Sequence, residues 1–123
     1  MDLVLIALGG AAGAASRYLV DRLAANAFGI LGLGTLIVNV SGSFLLGILA
    51  AVVMERQLMP AELRPLLGIG FLGAYTTFST FTLEAWAMAE LGYIGAALAY
   101  LVGSVVLGML AVVAGLTIGR VIA

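Results

Sequence analysis

The sequence predicts an all-α membrane protein whose four helices each cross the bilayer, and three observations carry that prediction. Of the 123 residues, 64% are hydrophobic and only 9% are charged. With a mean hydropathy of +1.27, the chain has too few charges to clothe a water-soluble surface. The charges also fall in punctuating positions: Arg17, Arg22, Arg56, Arg64 and Arg120, with Asp2, Asp21, Glu55, Glu62, Glu84 and Glu90, leave four long apolar stretches between them. These run over about 3–20, 34–54, 66–83 and 95–119, each near the ~20 residues that span a ~30 Å hydrocarbon core as helix. The whole chain, 1–123, reads as a single transmembrane domain, multi-pass in the cell membrane.

The first stretch lacks the basic leader of a secretory signal, because Asp2 precedes it, and it is read as a membrane helix. Its Gly9 and Gly13 form a GxxxG step that lets another helix backbone approach closely. Arg17 near its end is read as snorkelling or pairing structurally; turned inward, it raises the local potential for anions. In the second span, Thr35, Asn39 and Ser43 recur at i, i+4 and i+8 and share one face. Hydroxyls in a helix bond back to the preceding turn, the reading favoured for Ser41 and Ser43, whereas Asn39 is the costliest to bury and points to function.

Residues 55–65 (ERQLMPAELRP) carry charges and two prolines, which makes them an aqueous loop in which Pro60 can start one helical turn. The third span contains GIGFLGAYTTFSTFT, residues 68–82, a poor helix interior. Its backbone is expected to unwind near 73–77, where the freed carbonyls suit a hard cation, and Phe78 and Phe81 share a face. Their positive ring edges can face an anion where water is excluded; packing is the plainer alternative. Trp86 and Tyr93 mark the headgroup region around the next loop. The fourth span aligns Tyr100, Ser104 and Gly108 on one face and repeats the GxxxG step at Gly115 and Gly119.

Composition also excludes chemistry. With no Cys and no His, disulfides, thiolates, haem and zinc sites are out of reach, and carboxylates, hydroxyls and backbone carbonyls remain as ion ligands. A net charge near −1 with no long basic run argues against nucleic acid as a partner. Arginines near the span ends divide three to two between the two sides, too even to fix an orientation. Four helices cannot easily enclose a pathway, so an antiparallel homodimer inserted both ways is the expected assembly.

The segments GGAAGAASRY (9–18), GTLIVNVSGSFLLG (34–47) and GFLGAYTTFSTF (70–81) together resemble the Fluc, or CrcB, fluoride channels of microbes, and the resemblance extends over all four spans. It implies a dual-topology antiparallel homodimer in the plasma or inner membrane, a passive conduit and not an enzyme. Two fluoride pathways would expel the cytoplasmic ion and lower its toxicity. It further implies that Asn39 donates to the ion, that Phe78 and Phe81 are phenylalanine-box rings, and that Tyr100 and Ser104 belong to a polar track. Gly73 and Thr76 would give carbonyls to a structural Na+ that is not transported. Arg17, Thr35, Ser79, Thr80 and Glu84 take supporting roles, and Gly108 departs from members with a hydroxyl at the end of the track.

Two rival classes remain. A proton-coupled exporter of the small multidrug type also has four short spans, but it needs a carboxylate deep in a helix, and Glu84 is placed at an end. A structural subunit of a membrane complex explains the glycines but not the TTFSTF run.

Overall fold

The computed structural model describes all residues, Met1–Ala123. It is all-helical, with four spans long and apolar enough to cross a membrane: Asp2–Phe28, Leu33–Glu55, Arg64–Glu90 and Ile94–Ile122. The first is one helix, α1 (Asp2–Phe28). The second is α2 (Leu33–Leu49), continued by a π-helical segment, Ala50–Glu55. The third opens with a π-helical segment, Arg64–Leu72, then α3 (Gly73–Tyr75), a break, and α4 (Phe78–Glu90). The fourth is α5 (Ile94–Ile122).

The helices overrun the apolar stretches from which the sequence predicts them. At ~1.5 Å per residue, the 27 residues of α1 reach ~40 Å, beyond the ~30 Å hydrocarbon core. Charge marks where a helix enters the headgroups, not where its hydrogen bonding stops. Hence Arg17, Asp21 and Arg22 lie inside α1 and not in a loop, and Glu84 lies within α4, six residues before its end. Backbone conformation sets the true ends. Gly29 is left-handed (φ 63°), and its N–H caps the Ala25 carbonyl at 2.9 Å, a stop that favours glycine. Gly92 (φ 89°) does the same between α4 and α5. The loop before Arg64 contains a single turn closed by Leu63 N–H on the Pro60 carbonyl at 3.1 Å.

Only 20 of the 123 residues are buried, and the outer surface carries Leu8, Val106, Met109 and Leu110 among many apolar side chains. That is the inverse of a water-soluble fold and suits lipid as solvent. The small core joins Val38, Leu72 and Tyr75, with Tyr75 stacked on Phe71 at 5.8 Å between ring centroids.

Packing follows the glycines. α1 lies against the π-helical Arg64–Leu72, and α5 against α2. A Cβ at Gly13 would collide with the Phe71 carbonyl, and one at Gly115 with the Phe44 carbonyl. These backbones therefore touch directly, the close approach that small residues permit in membranes. At the Glu55 end, Arg120 grips Glu55 through two bonds of 2.7 and 2.8 Å. Arg56 donates to the Arg120 carbonyl at 3.4 Å, and Arg64 to the Val53 carbonyl at 3.2 Å. The arginines here close helix ends.

Gly13→Val and Gly115→Val are expected to destabilise the protein by about 1–3 kcal/mol or more through overpacking. Gly103→Ala, where an added Cβ meets nothing within 4 Å, is expected to be tolerated. Unfolding temperatures in detergent check the contrast; equal behaviour of all three would refute the packing account.

Candidate functional site

The site is built on the break in the third span. Thr76 (ψ 158°) and Thr77 (φ −151°, ψ 124°) are extended; Thr76 N–H still closes on the Leu72 carbonyl at 3.1 Å, and the backbone leaves the helical ladder from the Thr76 carbonyl onward. Their polar groups must be satisfied internally. The Asn39 carboxamide meets that demand from α2: Thr77 N–H donates to Asn39 Oδ1 at 2.8 Å, and Asn39 Nδ2 donates to the Thr77 carbonyl at 3.0 Å. In an unbroken helix the Thr77 N–H would go to the Gly73 carbonyl. The Thr77 hydroxyl then accepts from Thr80 N–H at 3.3 Å and caps α4. Sequence reasoning named Thr77 only as the edge of a break; the signal for its capping role was a Thr at the start of a new apolar helix.

Against this break lies a cavity of about 360 Å³, lined among others by Asn39, Ser43, Gly73, Thr76, Phe78, Phe81 and Ser104. One Asn39 N–H remains beyond the bond to Thr77, since a carboxamide carries two. The Ser104 hydroxyl is buried with no protein partner, so it too has a donor to give. Ser43 is spent on its own helix, donating to the Asn39 carbonyl at 2.7 Å, as Ser41 is on the Ile37 carbonyl at 2.6 Å. Phe78 and Phe81 stand edge to face with centroids 6.1 Å apart, yet Phe81 is 7% exposed and Phe78 77%. The N-terminus of α4, the positive end of its dipole, opens beside the same cavity.

Toward the other end of α4, Glu84 is held on both oxygens, by Thr35 Oγ1 at 2.9 Å and Tyr100 OH at 2.8 Å. Thr35, 2% exposed, therefore faces Glu84 and not the Asn39 cavity. The Tyr100 ring meets Phe81 edge to face at 5.0 Å, while its hydroxyl is committed to the carboxylate. A second cavity of about 420 Å³ includes Tyr18, Asp21, Arg22 and Glu84. Arg17 Nε is buried without a protein partner. Thr80 and Ser79 cluster their hydroxyls on Thr77 at 3.2 and 3.5 Å. Gly108 sits near the Ser43 hydroxyl, which an added Cβ would approach to 3.7 Å. The structure thus gathers Asn39, Phe78, Phe81, Ser104, Gly73 and Thr76 on one cavity and places Tyr100, Thr35 and Glu84 in an adjoining cluster.

Four crossing helices and a largely apolar cavity carrying a few polar groups at a broken span define a small multi-pass membrane protein with an intramembrane site. The family model described as CrcB-like protein, Camphor Resistance (CrcB), matches residues 4–116, and the chain belongs to that family. It is similar to proteins named fluoride-specific ion channel FluC. Identity is 49% over 121 residues with that of Hahella chejuensis, covering 98% of this chain and 95% of the relative. It is 48% over 115 residues with that of Paracoccus denitrificans, covering 94% and 91%, and 48% over 122 residues with that of Rhizobium meliloti, covering 96% and 95%. These relatives lend no support to the multidrug-exporter reading. Glu84, expected at the end of the third span, stands within α4, six residues before its end, so its position does not by itself weigh against a carboxylate-dependent exporter.

Removing one hydroxyl from the Glu84 cluster leaves a half-buried carboxylate short of a donor. Thr35→Val is expected to cost roughly 1.5–3 kcal/mol of stability, and much less in a Glu84→Gln background, where the charge is gone. A double-mutant cycle on detergent unfolding measures the coupling; additive effects would contradict the pairing.

Proposed function

We propose that this chain is a passive, fluoride-selective channel acting as an antiparallel dual-topology homodimer. The observation that carries the reading is the convergence of free donors on one open-sided cavity: the second Asn39 N–H and the partnerless Ser104 hydroxyl beside the Phe81 ring. Fluoride is small, strongly hydrated and a strong hydrogen-bond acceptor, so only donors at close range replace its lost water. Asn39 and Ser104 supply them. Phe78 and Phe81 turn positive edges toward a partly dehydrated anion, and the α4 N-terminus adds a positive potential with no mobile charge that would trap it. Tyr100, held by Glu84, walls the path through its contact with Phe81.

Expulsion needs no coupling. HF crosses the bilayer from acidic surroundings and dissociates in the near-neutral cytoplasm, leaving fluoride behind. An inside-negative potential of ~100 mV is worth ~2.3 kcal/mol per charge, roughly fiftyfold in concentration. An open anion path suffices to drive the ion out.

A second copy follows from the cavity's open side, since Phe78 is 77% exposed on a single chain. The near-even Arg distribution supports insertion in both orientations. The Gly73 and Thr76 carbonyls suit a structural Na+: they are hard, neutral oxygens, and Thr77 N–H, the α-helical donor to Gly73, is engaged by Asn39. Two chains would supply four such oxygens. Bound there, the ion would supply fixed positive charge that steadies the break.

Asn39→Asp places a negative charge in the anion's path, and Phe81→Ile removes a ring edge while keeping an apolar wall. Losing such an interaction with a desolvated anion is expected to cost roughly 1.5–3 kcal/mol, about one to two decades in rate or affinity. Fluoride efflux from liposomes, read with an electrode beside a chloride control, should fall accordingly while the dimer stays assembled. Near wild-type efflux from both variants would refute this pathway.

Single-Cys tags at both termini should be labelled from either face of native membranes, and added Lys on one side should fix the orientation and abolish efflux when that variant is expressed alone. A single orientation of the unaltered chain would exclude the dual-topology assembly.

A further inference from the structure

The Asn39 carboxamide has two chemically distinct ends, and the structure engages them differently. Its oxygen takes the Thr77 N–H at 2.8 Å. Its nitrogen gives one hydrogen to the Thr77 carbonyl at 3.0 Å and keeps a second. The first bond acts on Gly73. An α-helix passing through this point would close Thr77 N–H on the Gly73 carbonyl, so the carboxamide oxygen competes with that carbonyl for one donor. Asn39 lines the same cavity as Gly73, Thr76 and Ser104, so the spare hydrogen is free to serve it. One side chain therefore stands between a pair of carbonyls suited to a cation and a set of donors suited to an anion.

We infer that Asn39 is the positioning residue of the cation site: its oxygen, by holding Thr77 N–H away from Gly73, keeps the Gly73 carbonyl open to Na+, while its nitrogen serves the anion separately. This rests on the channel reading and its structural Na+, and it assigns the two ends of one carboxamide to two different ions. Asn39→Asp is nearly isosteric, keeps an oxygen for Thr77 N–H and loses both donors. Asn39→Leu and Asn39→Ser lose the oxygen at that reach, which releases Thr77 N–H to the Gly73 carbonyl and re-forms the helical bond.

The test is Na+ titration of the unfolding temperature of the purified dimer in detergent, with a large organic cation as the balancing salt, together with fluoride efflux from liposomes. In the unaltered protein, Na+ is expected to raise the unfolding temperature, as a ligand of the folded state must. Asn39→Asp is expected to keep that Na+ response while losing efflux. Asn39→Leu and Asn39→Ser are expected to need about 10- to 100-fold more Na+ for the same rise, the usual cost of removing a residue that orients a metal ligand. Ser is included because it remains informative if Leu fails to fold.

A Leu or Ser variant that keeps the unaltered Na+ midpoint would overturn the inference while leaving the channel reading intact. An unaltered protein that is insensitive to Na+ yet conducts fluoride would overturn both the cation site and the inference. Absence of fluoride efflux from the unaltered protein, with the Na+ response present and weakened in the Leu and Ser variants, would strike the channel reading and the anion role of the nitrogen while upholding the role of the oxygen at the cation site.

Discussion

One pair of hydrogen bonds governs this molecule: the carboxamide of Asn39 on the backbone N–H and carbonyl of Thr77. A helix cannot simply stop within a bilayer, because each unsatisfied backbone group there costs several kcal/mol. Side chains that answer both a donor and an acceptor of one peptide residue are few, and a carboxamide is one of them. With Thr77 held, α3 can end and α4 can begin after two intervening residues. The direction of α4 then fixes Phe78, Phe81 and Glu84 in space. The half-buried amide is thus a condition of the fold before it is a feature of any pathway.

The same break creates two opposite electrostatic environments from neutral groups. Helix ends expose carbonyls on one side and amides on the other, equivalent to about half a charge each. Here the two ends are brought within a single cavity, with Gly73 and Thr76 on the carbonyl side and Phe78 at the amide side. Fixed dipoles act strongly at the low dielectric of a membrane interior, and they do so without the deep well that an unpaired arginine would create. Glu84 is the apparent contradiction, a carboxylate in the same helix as the anion-favouring end. Its two oxygens, however, are each occupied by a hydroxyl, Thr35 and Tyr100. The charge is therefore used to lock α2, α4 and α5 together, and through Tyr100 it sets the ring against Phe81.

Much of this was legible in the sequence because lipid imposes simple rules. Four apolar stretches gave four spans, and three glycines followed by hydroxyls between 68 and 82 located the break, since such a run supports a helix poorly. The ends were not legible: α1 passes Arg17, Asp21 and Arg22 and stops only at left-handed Gly29, because charge reports on water and not on hydrogen bonding. For the same reason the sequence puts Glu84 at the end of a span, whereas it lies within α4. Periodicity placed Thr35, Asn39 and Ser43 on one face, but their partners, Glu84, Thr77 and a carbonyl of their own helix, lie up to 49 residues apart in sequence. Spacing along one helix carries no information on which neighbour it meets.

Phe78 and Phe81 show why the chain is half of its proposed machine. They lie three residues apart on one helix, yet one is buried and the other exposed, because α5 covers the Phe81 side through Tyr100 and nothing covers Phe78. A ring edge facing lipid gains nothing from its quadrupole, since hydrocarbon offers no charge to meet it. An edge that shares a polar, water-poor space with donors does. In the proposed antiparallel dimer each exposed Phe78 would meet the partner without an added helix, and the three-to-two arginine balance fits insertion in both orientations. On that proposal the economy of charge in this sequence and the open side of its cavity are one constraint: strong topogenic signals would leave a single chain without the partner proposed to close its site.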